Sequence, residues 1–339
     1  MKLPDKTTIL VCGGAGFIGT NFIYHLFKKY PQIKLINFDA LTYCGNQNNL
    51  KDITSSNYIF IKGDITNQKA ISQVFTKYQP NFVINFAAET HVDRSIHTYT
   101  SDFIQTNING VFNLLNAVKN SKTVQKYLQV GTDEVYGSLT INSKKKFTEQ
   151  NNLQPNSPYA ASKACGDLLC RAYFQTWGIP IIITRCSNNY GPYQYPEKLI
   201  PFFVTHLLKN KKIPLYGDGK NVRDWIHVSD HCQALELCLF KGKPGEIYNI
   251  GANNEKNNLE VADIILKYFK RDKSWIEFVT DRLGHDERYA IDNSKIQREL
   301  GWRPKYTSTE SLLNTIQWYI DQPKWLKDIN KKINKNIKV

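Results

Sequence analysis

Short apolar runs, bounded by Gly, Pro, Asn or Asp, recur along the first half of the chain. They lie at Thr7–Gly13, Lys34–Asp39, Tyr58–Asp64, Phe82–Ala88, Lys126–Thr132 and Pro180–Ser187. Each is nearly continuous rather than alternating, which predicts strands covered by helices on both faces. Between them, Asn21–Lys29, Gln68–Tyr78, Ser101–Lys119 and Pro158–Gly178 carry apolar residues at helical spacing. Strands and helices in alternation predict an α/β fold, a Rossmann-type doubly wound parallel sheet.

The pattern changes after Ser187. Asn188–Lys198 is polar, aromatic and rich in Pro and Gly, and reads as loop. A helix (Leu199–Lys209), a strand (Ile213–Gly217), a turn (Asp218–Lys220) and a helix (Ser229–Phe240) follow. The apolar run Glu246–Gly251 again has the character of sheet core. Asn254–Lys270, Ile276–Val279 and Ser294–Leu300 complete a smaller α+β lobe. The expected division is therefore a dinucleotide-binding domain over 1–187, rejoined by 223–254 and about 311–322. A substrate lobe is expected over 188–222 and 255–310, with a basic tail over 323–339. Asn142–Asn152, with three consecutive lysines, reads as an exposed loop.

Composition narrows the function. No run of roughly 18 apolar residues is present to span a membrane, and the N-terminus lacks an apolar signal core, so a cytoplasmic protein is expected. Seven cysteines without a Cys-x-x-Cys pair read as reduced core residues, and no metal site is expected. The net charge of +14 is concentrated in the tail, where Lys324, Lys327, Lys331, Lys332, Lys335 and Lys338 face only Asp328. Such a tail reads as a solvated end rather than a nucleic-acid surface.

Gly13, Gly16 and Gly19 join the first strand to the first helix. This spacing permits a tight turn, a backbone close to a pyrophosphate, and close packing of helix on strand. Asp39 ends the second strand, where a carboxylate accepts bonds from an adenosine ribose and repels a 2′-phosphate. No arginine stands nearby, so NAD is expected rather than NADP. Asp64, ending the third strand, is placed to reach the adenine.

Tyr159 and Lys163 lie four apart and share a helix face. A nearby ammonium favours phenolate, and such a tyrosine can take a proton from an alcohol as hydride leaves. Thr132-Asp133-Glu134 closes the fifth strand, at the end of a parallel sheet where ligands bind. Repulsion between two partly buried carboxyls would keep one protonated and the other ionised, which suits an elimination.

These segments resemble the dTDP-glucose 4,6-dehydratase family, within the extended short-chain dehydrogenases, along nearly the whole chain. The resemblance is carried by Gly13–Gly19, Phe86–Ser95, Thr132–Gly137 and Tyr159–Lys163. It continues through Cys186–Pro192, Tyr195–Pro201, Arg223–Trp225 and Tyr248–Gly251. It implies an NAD-dependent hydro-lyase of deoxysugar biosynthesis, the rhamnose route included. In that reaction Tyr159, with Lys163, deprotonates the glucose 4-hydroxyl as hydride leaves. Glu134 then takes the C5 proton, Asp133 protonates the departing 6-hydroxyl, and hydride returns to C6. Thr132 orients the sugar near O4.

The resemblance also implies ligand contacts. For the nucleotide sugar these are Thr90, Asn188, Lys198, Leu199, Pro214, Leu215, Tyr216, Arg223 (on the diphosphate), Asn258, Asp281, Arg282 and His285. For the cofactor they are Phe17, Ile18, Asp39, Ala40, Leu41, Thr42, Asp64, Ile65, Phe86, Ala87, Ala88, Thr106 and Asn189. It implies a homodimer, paired through the helices Ser101–Lys119 and Pro158–Gly178. Three positions depart from the family pattern. Cys12 replaces threonine, Ala40 replaces lysine, and Leu283 replaces a proline beside the nucleotide. UDP-glucose as substrate, a nucleotide-sugar 4-epimerase, and a non-catalytic NAD-binding sensor are the competing readings.

Overall fold

Seven of the apolar runs become neighbours in one parallel sheet. The structure is a computed structural model and describes residue 4, residues 7–98 and residues 100–336. The sheet strands are β1 (Thr8–Cys12), β2 (Lys34–Asp39), β3 (Tyr58–Lys62), β4 (Phe82–Asn85), β5 (Lys126–Thr132), β6 (Ile181–Cys186) and β10 (Ile247–Ile250). Their order is β10-β6-β5-β4-β1-β2-β3, every pair parallel. The order reverses between β1 and β4, and that is where a doubly wound sheet opens a crevice at its carboxyl ends.

Alternate side chains explain the layers. Ile9 and Val11 of β1 face a core shared with α1 (Phe17–Lys29), α8 (Val228–Lys241) and α10 (Ser294–Leu300). Leu10 and Cys12 face the opposite core, with α2 (Gln68–Tyr78), α5 (Val111–Asn120) and α6 (Pro158–Trp177). Period-two alternation places consecutive residues on opposite faces. The Ser101–Lys119 helix is interrupted. Short helices α3 (Val92–His97) and α4 (Thr100–Ile104) lead into a π-helical turn, Gln105–Gly110, before α5.

The smaller lobe holds two further sheets. One is β7 (Asn188–Tyr190), β9 (Val222–His227) and β11 (Glu255–Asn257); the other pairs β8 (Ile213–Tyr216) with β12 (Ile276–Val279). Helices α7 (Leu199–Leu208), α9 (Asn258–Tyr268) and α11 (Thr309–Asp321) share its core, where Phe203, Ile265 and Ile316 are buried.

Four sequence expectations are corrected. The reading of Asn188–Lys198 as loop misses β7, which pairs with β9. Residues 222–227 form β9 of the lobe sheet, and the chain rejoins the first domain's core from Ile226 into α8 rather than from 223. The segment 311–322 stays in the lobe, because Leu312, Ile316 and Tyr319 bury against α7 and α9, whereas α10 and Trp302 pack on the first domain. The basic tail is not a solvated end. Residues Pro323–Asn336 form helix α12, with Leu326 and Ile329 buried. Lys338 lies outside the described residues. Among the described residues no helix is long and apolar enough to cross a membrane.

Candidate active site

The Gly loop is forced by its surroundings. Gly13 has φ +77°, and a Cβ there would sit 2.5 Å from the Ala87 backbone nitrogen. A Cβ on Gly19 would lie 2.4 Å from the Gly13 carbonyl oxygen. Only glycine lets β1 turn into α1 this tightly beside β4. The Asp39 carboxylate closes the far side. It accepts from the backbone N–H of Ala15 at 2.8 Å and of Leu41 at 2.7 Å.

Two adjoining parts of one cleft run from this loop. The first is walled by Gly13, Gly16, Asp39, Ala40, Thr42, Asp64, Ile65, Phe86, Ala87, Ala88 and Thr106. The second, with about 1130 Å³ of empty space, is walled by Gly16, Phe17, Ile18, Gly19, Thr90, Thr132, Asp133, Glu134, Tyr159, Lys163, Asn188, Asn189 and Lys198. The structure thus brings together the predicted cofactor residues other than Leu41, whose backbone N–H is bonded to Asp39. A glycine cradle, a strand-end carboxylate and an elongated cleft fit a dinucleotide.

The reacting groups meet at the end of β5. Thr132 Oγ1 accepts from the Glu134 backbone N–H at 3.3 Å and starts a short 3₁₀ turn that carries both carboxyls. Ser157 caps α6, so Tyr159 stands in the first turn of that helix, and its backbone N–H donates to Ser95 Oγ. Lys163 Nζ donates to the Val130 carbonyl at 2.8 Å.

Burial dominates the electrostatics. It raises Asp133 well above the usual carboxylate range, with Glu134 and Asp224 pushing the same way and Arg223 opposing. Asp133 Oδ2 is buried without a hydrogen-bond partner. Glu134 is also raised by burial, but Arg282, Lys198 and Arg223 pull it back. The expectation that Lys163 lowers the Tyr159 phenol is not met by the protein alone. Burial raises that phenol well above its ordinary value, and Glu134, Cys186 and Asp133 add to the rise, while a Thr132 hydrogen bond opposes it. Burial also lowers the Lys163 ammonium.

Of the remaining predicted contacts, Lys198 walls the cleft, and the others lie outside both of its parts. Lys198 Nζ donates to the Thr90 carbonyl at 2.9 Å, and Leu199 begins α7 behind it. His285 Nδ1 lies 2.6 Å from Asp281 Oδ1, and Arg282 is 3.9 Å from Asp93. Tyr216, beside Pro214 and Leu215 on β8, reaches Asp93 with its hydroxyl. Asn258 is buried at the start of α9. Arg223 is buried rather than exposed. It lies over the Tyr289 ring at 4.2 Å and donates to the carbonyls of Val222, Asp286 and Glu287. Of the departures, Ala40 lines the cleft beside Asp39, Cys12 is sealed in the sheet core and Leu283 is exposed.

Sequence reasoning missed Tyr43, Cys44, Glu89, Cys186, Tyr195 and Glu197, which also wall the cleft. Glu89 and Glu197 stood inside quoted motifs but carried no spacing signal of their own. Tyr43 donates to Glu197 at 3.1 Å, and burial raises Glu89 to about 7 against the pull of Arg94.

A family model described as GDP-mannose 4,6 dehydratase matches residues 10–315. A dTDP-glucose 4,6-dehydratase of Xanthomonas campestris pv. campestris is 46% identical over 340 residues, covering 95% of each chain. The chain belongs to the dTDP-glucose 4,6-dehydratase family. The Bacillus anthracis enzyme of that name, solved with NAD, is 50% identical, with TM-score 0.88 over 95% of this chain and 99% of that one. The Streptomyces venezuelae enzyme, solved with NAD and dTDP, is 44% identical, with TM-score 0.91 over 95% and 100%. A UDP-glucose 4-epimerase of Thermus thermophilus, in complex with NAD, shares the fold at 27% identity and TM-score 0.85, over 93% of this chain and 100% of that one. Family membership makes this chain an NAD-dependent hydro-lyase, and the Asp133–Glu134 pair lines the same cleft as Tyr159.

Proposed function

We propose that this protein converts dTDP-glucose to dTDP-4-keto-6-deoxyglucose, with NAD held in the cleft. The observation that carries the reading is the convergence of Thr132, Asp133, Glu134, Tyr159 and Lys163 on one cleft wall.

When bound, NAD supplies the hydride acceptor and a cationic ring that favours the ionised phenol. Tyr159 takes the proton of the glucose 4-hydroxyl as the C4–H bond breaks. Lys163 spends one donor on Val130 and keeps two for ligands among the described residues. Thr132 fixes O4. The 4-ketone acidifies C5–H, and Glu134, whose negative form three cations favour, removes that proton. Asp133, kept protonated by burial and by Glu134, gives its proton to the 6-hydroxyl as the C6–O bond breaks and water leaves. The hydride would then be given back to C6, and Glu134 returns its proton to C5. Tyr159 ends with one proton more and Asp133 with one fewer, which solvent exchange levels.

Lys198, Asn188 and Thr90 are assigned to the nucleotide sugar, and Arg223 to its diphosphate, a role suited to a planar donor fork. Tyr216, Asp281, Arg282 and His285 are assigned to the nucleoside. A homodimer is inferred from the apolar side chains of Ile104, Phe112 and Leu168, which are exposed on neighbouring helices. The place of action is inferred to be the cytoplasm, in deoxysugar synthesis of the rhamnose kind.

The test is turnover of dTDP-glucose and UDP-glucose by the NAD-loaded protein, read by product mass. A product lighter by one water, formed faster from dTDP-glucose, is expected. A product of unchanged mass would assign an epimerase, faster turnover of UDP-glucose would change the base, and no turnover of either would leave a sensor.

A further inference from the structure

The C-terminal helix α12 reaches back across the molecule to the adenosine end of the cleft. Its docking is built from two kinds of contact. Leu326 and Ile329 bury on its inner face, and the Trp325 ring lies 5.3 Å from that of Trp318. Trp325 Nε1 donates to Asn49 Oδ1 at 2.7 Å. About two turns beyond Trp325, Lys332 Nζ donates to the carbonyls of Thr42, at 2.8 Å, and of Gly45.

Those two carbonyls belong to the loop that curls over Asp39. The loop is tense. Leu41 has φ +54°, and a Cβ on Gly45 would sit 2.9 Å from Asp39 Oδ1. Its inner side, through Thr42, Cys44 and Gly45, is a wall of the dinucleotide cleft. A chain segment in this conformation stays in one arrangement only where its surroundings hold it. A single ammonium that bridges two carbonyls three residues apart, fixed to a helix anchored elsewhere, is such a fastener. Its charge also favours the ionised form of Asp39.

We propose that Lys332, reaching from the C-terminal helix, is a positioning residue for the adenosine end of the dinucleotide. It fastens the Thr42–Gly45 turn so that the carboxylate of Asp39 and the wall beside it are formed before the ligand arrives. Pre-organisation of this kind is read as affinity, because the ordering is not left to the binding step. The proposal rests on the NAD reading of the cleft.

The test is calorimetric titration of NAD into the full-length protein stripped of nucleotide, as wild type, Lys332→Met and Lys332→Arg. Met keeps the length and apolar stem but has no donor; Arg keeps donors able to bridge two carbonyls. Lys332→Met is expected to bind NAD about tenfold more weakly, and Lys332→Arg to recover most of that loss. The melting temperature without NAD should be the same in all three, while the NAD-induced rise shrinks in Lys332→Met alone. Equal affinity in wild type and Lys332→Met overturns the role of Lys332, as does a tenfold loss that Arg does not recover or an equal loss of stability without NAD. If the wild type binds no NAD, the reading of the cleft itself falls, and this proposal with it.

Discussion

Two regions of the molecule bury carboxyls and treat them in opposite ways. In the seam between α1 and α8, Glu236 receives His25 Nε2 at 2.7 Å, Lys29 Nζ at 2.6 Å and the Tyr30 hydroxyl at 2.6 Å. Burial alone would raise this carboxyl, but the bonds from His25, Lys29 and Tyr30 outweigh it and hold it at about 2. At the end of β5, Asp133 is as deeply buried, has an oxygen without a partner and is raised well above its ordinary range. Satisfied donors mark the seam as structural. An unsatisfied oxygen beside a second carboxyl marks the cleft as a place where the fold tolerates an unfavourable group, as sites of chemistry do.

The sharpest way to break this contrast is at the cleft. Glu134→Gln should lower kcat by about 100- to 10,000-fold, the range a positioned base supplies. Because Gln cannot take the C5 proton, oxidation at C4 should still proceed, and a reduced-cofactor absorbance should accumulate on mixing with substrate. Tyr159→Phe should lower the rate by a similar factor without that signal, since it blocks the first step. Normal product formation by Glu134→Gln would remove the carboxylate from the mechanism.

The seam should answer in stability instead. Glu236→Gln is expected to lower the unfolding free energy at pH 7 by about 2 kcal/mol, discounted because Lys29 is half-exposed. The sign follows from linkage. A carboxyl depressed from 4.5 to about 2 stabilises the fold above pH 4.5, and that contribution fades as the pH falls toward 2. Denaturant titrations of wild type and Glu236→Gln should therefore converge at about pH 2 and below, and differ at pH 7.

How much of this was legible follows the same division. The sheet could be read because continuous apolar runs have one stable use, burial on both faces. Lys34–Asp39 and Lys126–Thr132 carry the strand bounds given for β2 and β5. The lobe was harder. β7 and β11 are three residues long, too short to show a period, and each exists because β9 lies between them. Helix α12 was hidden by its lysines and asparagines. Its docking depends on Trp325, Leu326 and Ile329, three residues in a polar segment whose partners lie far away in the chain. The Tyr159–Lys163 spacing placed both groups on one helix face but could not show that the ammonium turns to the Val130 carbonyl. Nor could it show that burial, with Glu134 and Asp133 adding to it, raises the phenol.

The smallest expected effect separates the two regions most cleanly, because it has the opposite sign. Asp133→Asn should destroy most activity yet raise the unfolding free energy at pH 8 by roughly 1 kcal/mol, since it removes a buried group that must lose its proton or resist losing it. Asp133 is raised in the folded state, so its contribution is fully present below the unfolded value near 3.8 and is lost as the pH rises above it. The gain in Asp133→Asn should thus shrink as the pH is lowered toward 4, the reverse of the trend at Glu236. Chemical denaturation at pH 4 and pH 8 measures the Asp133 trend, and at pH 2 and pH 7 the Glu236 trend. If Asp133→Asn were instead less stable than wild type at pH 8, the carboxyl would be contributing to the fold there, and the contrast between seam and cleft would not hold.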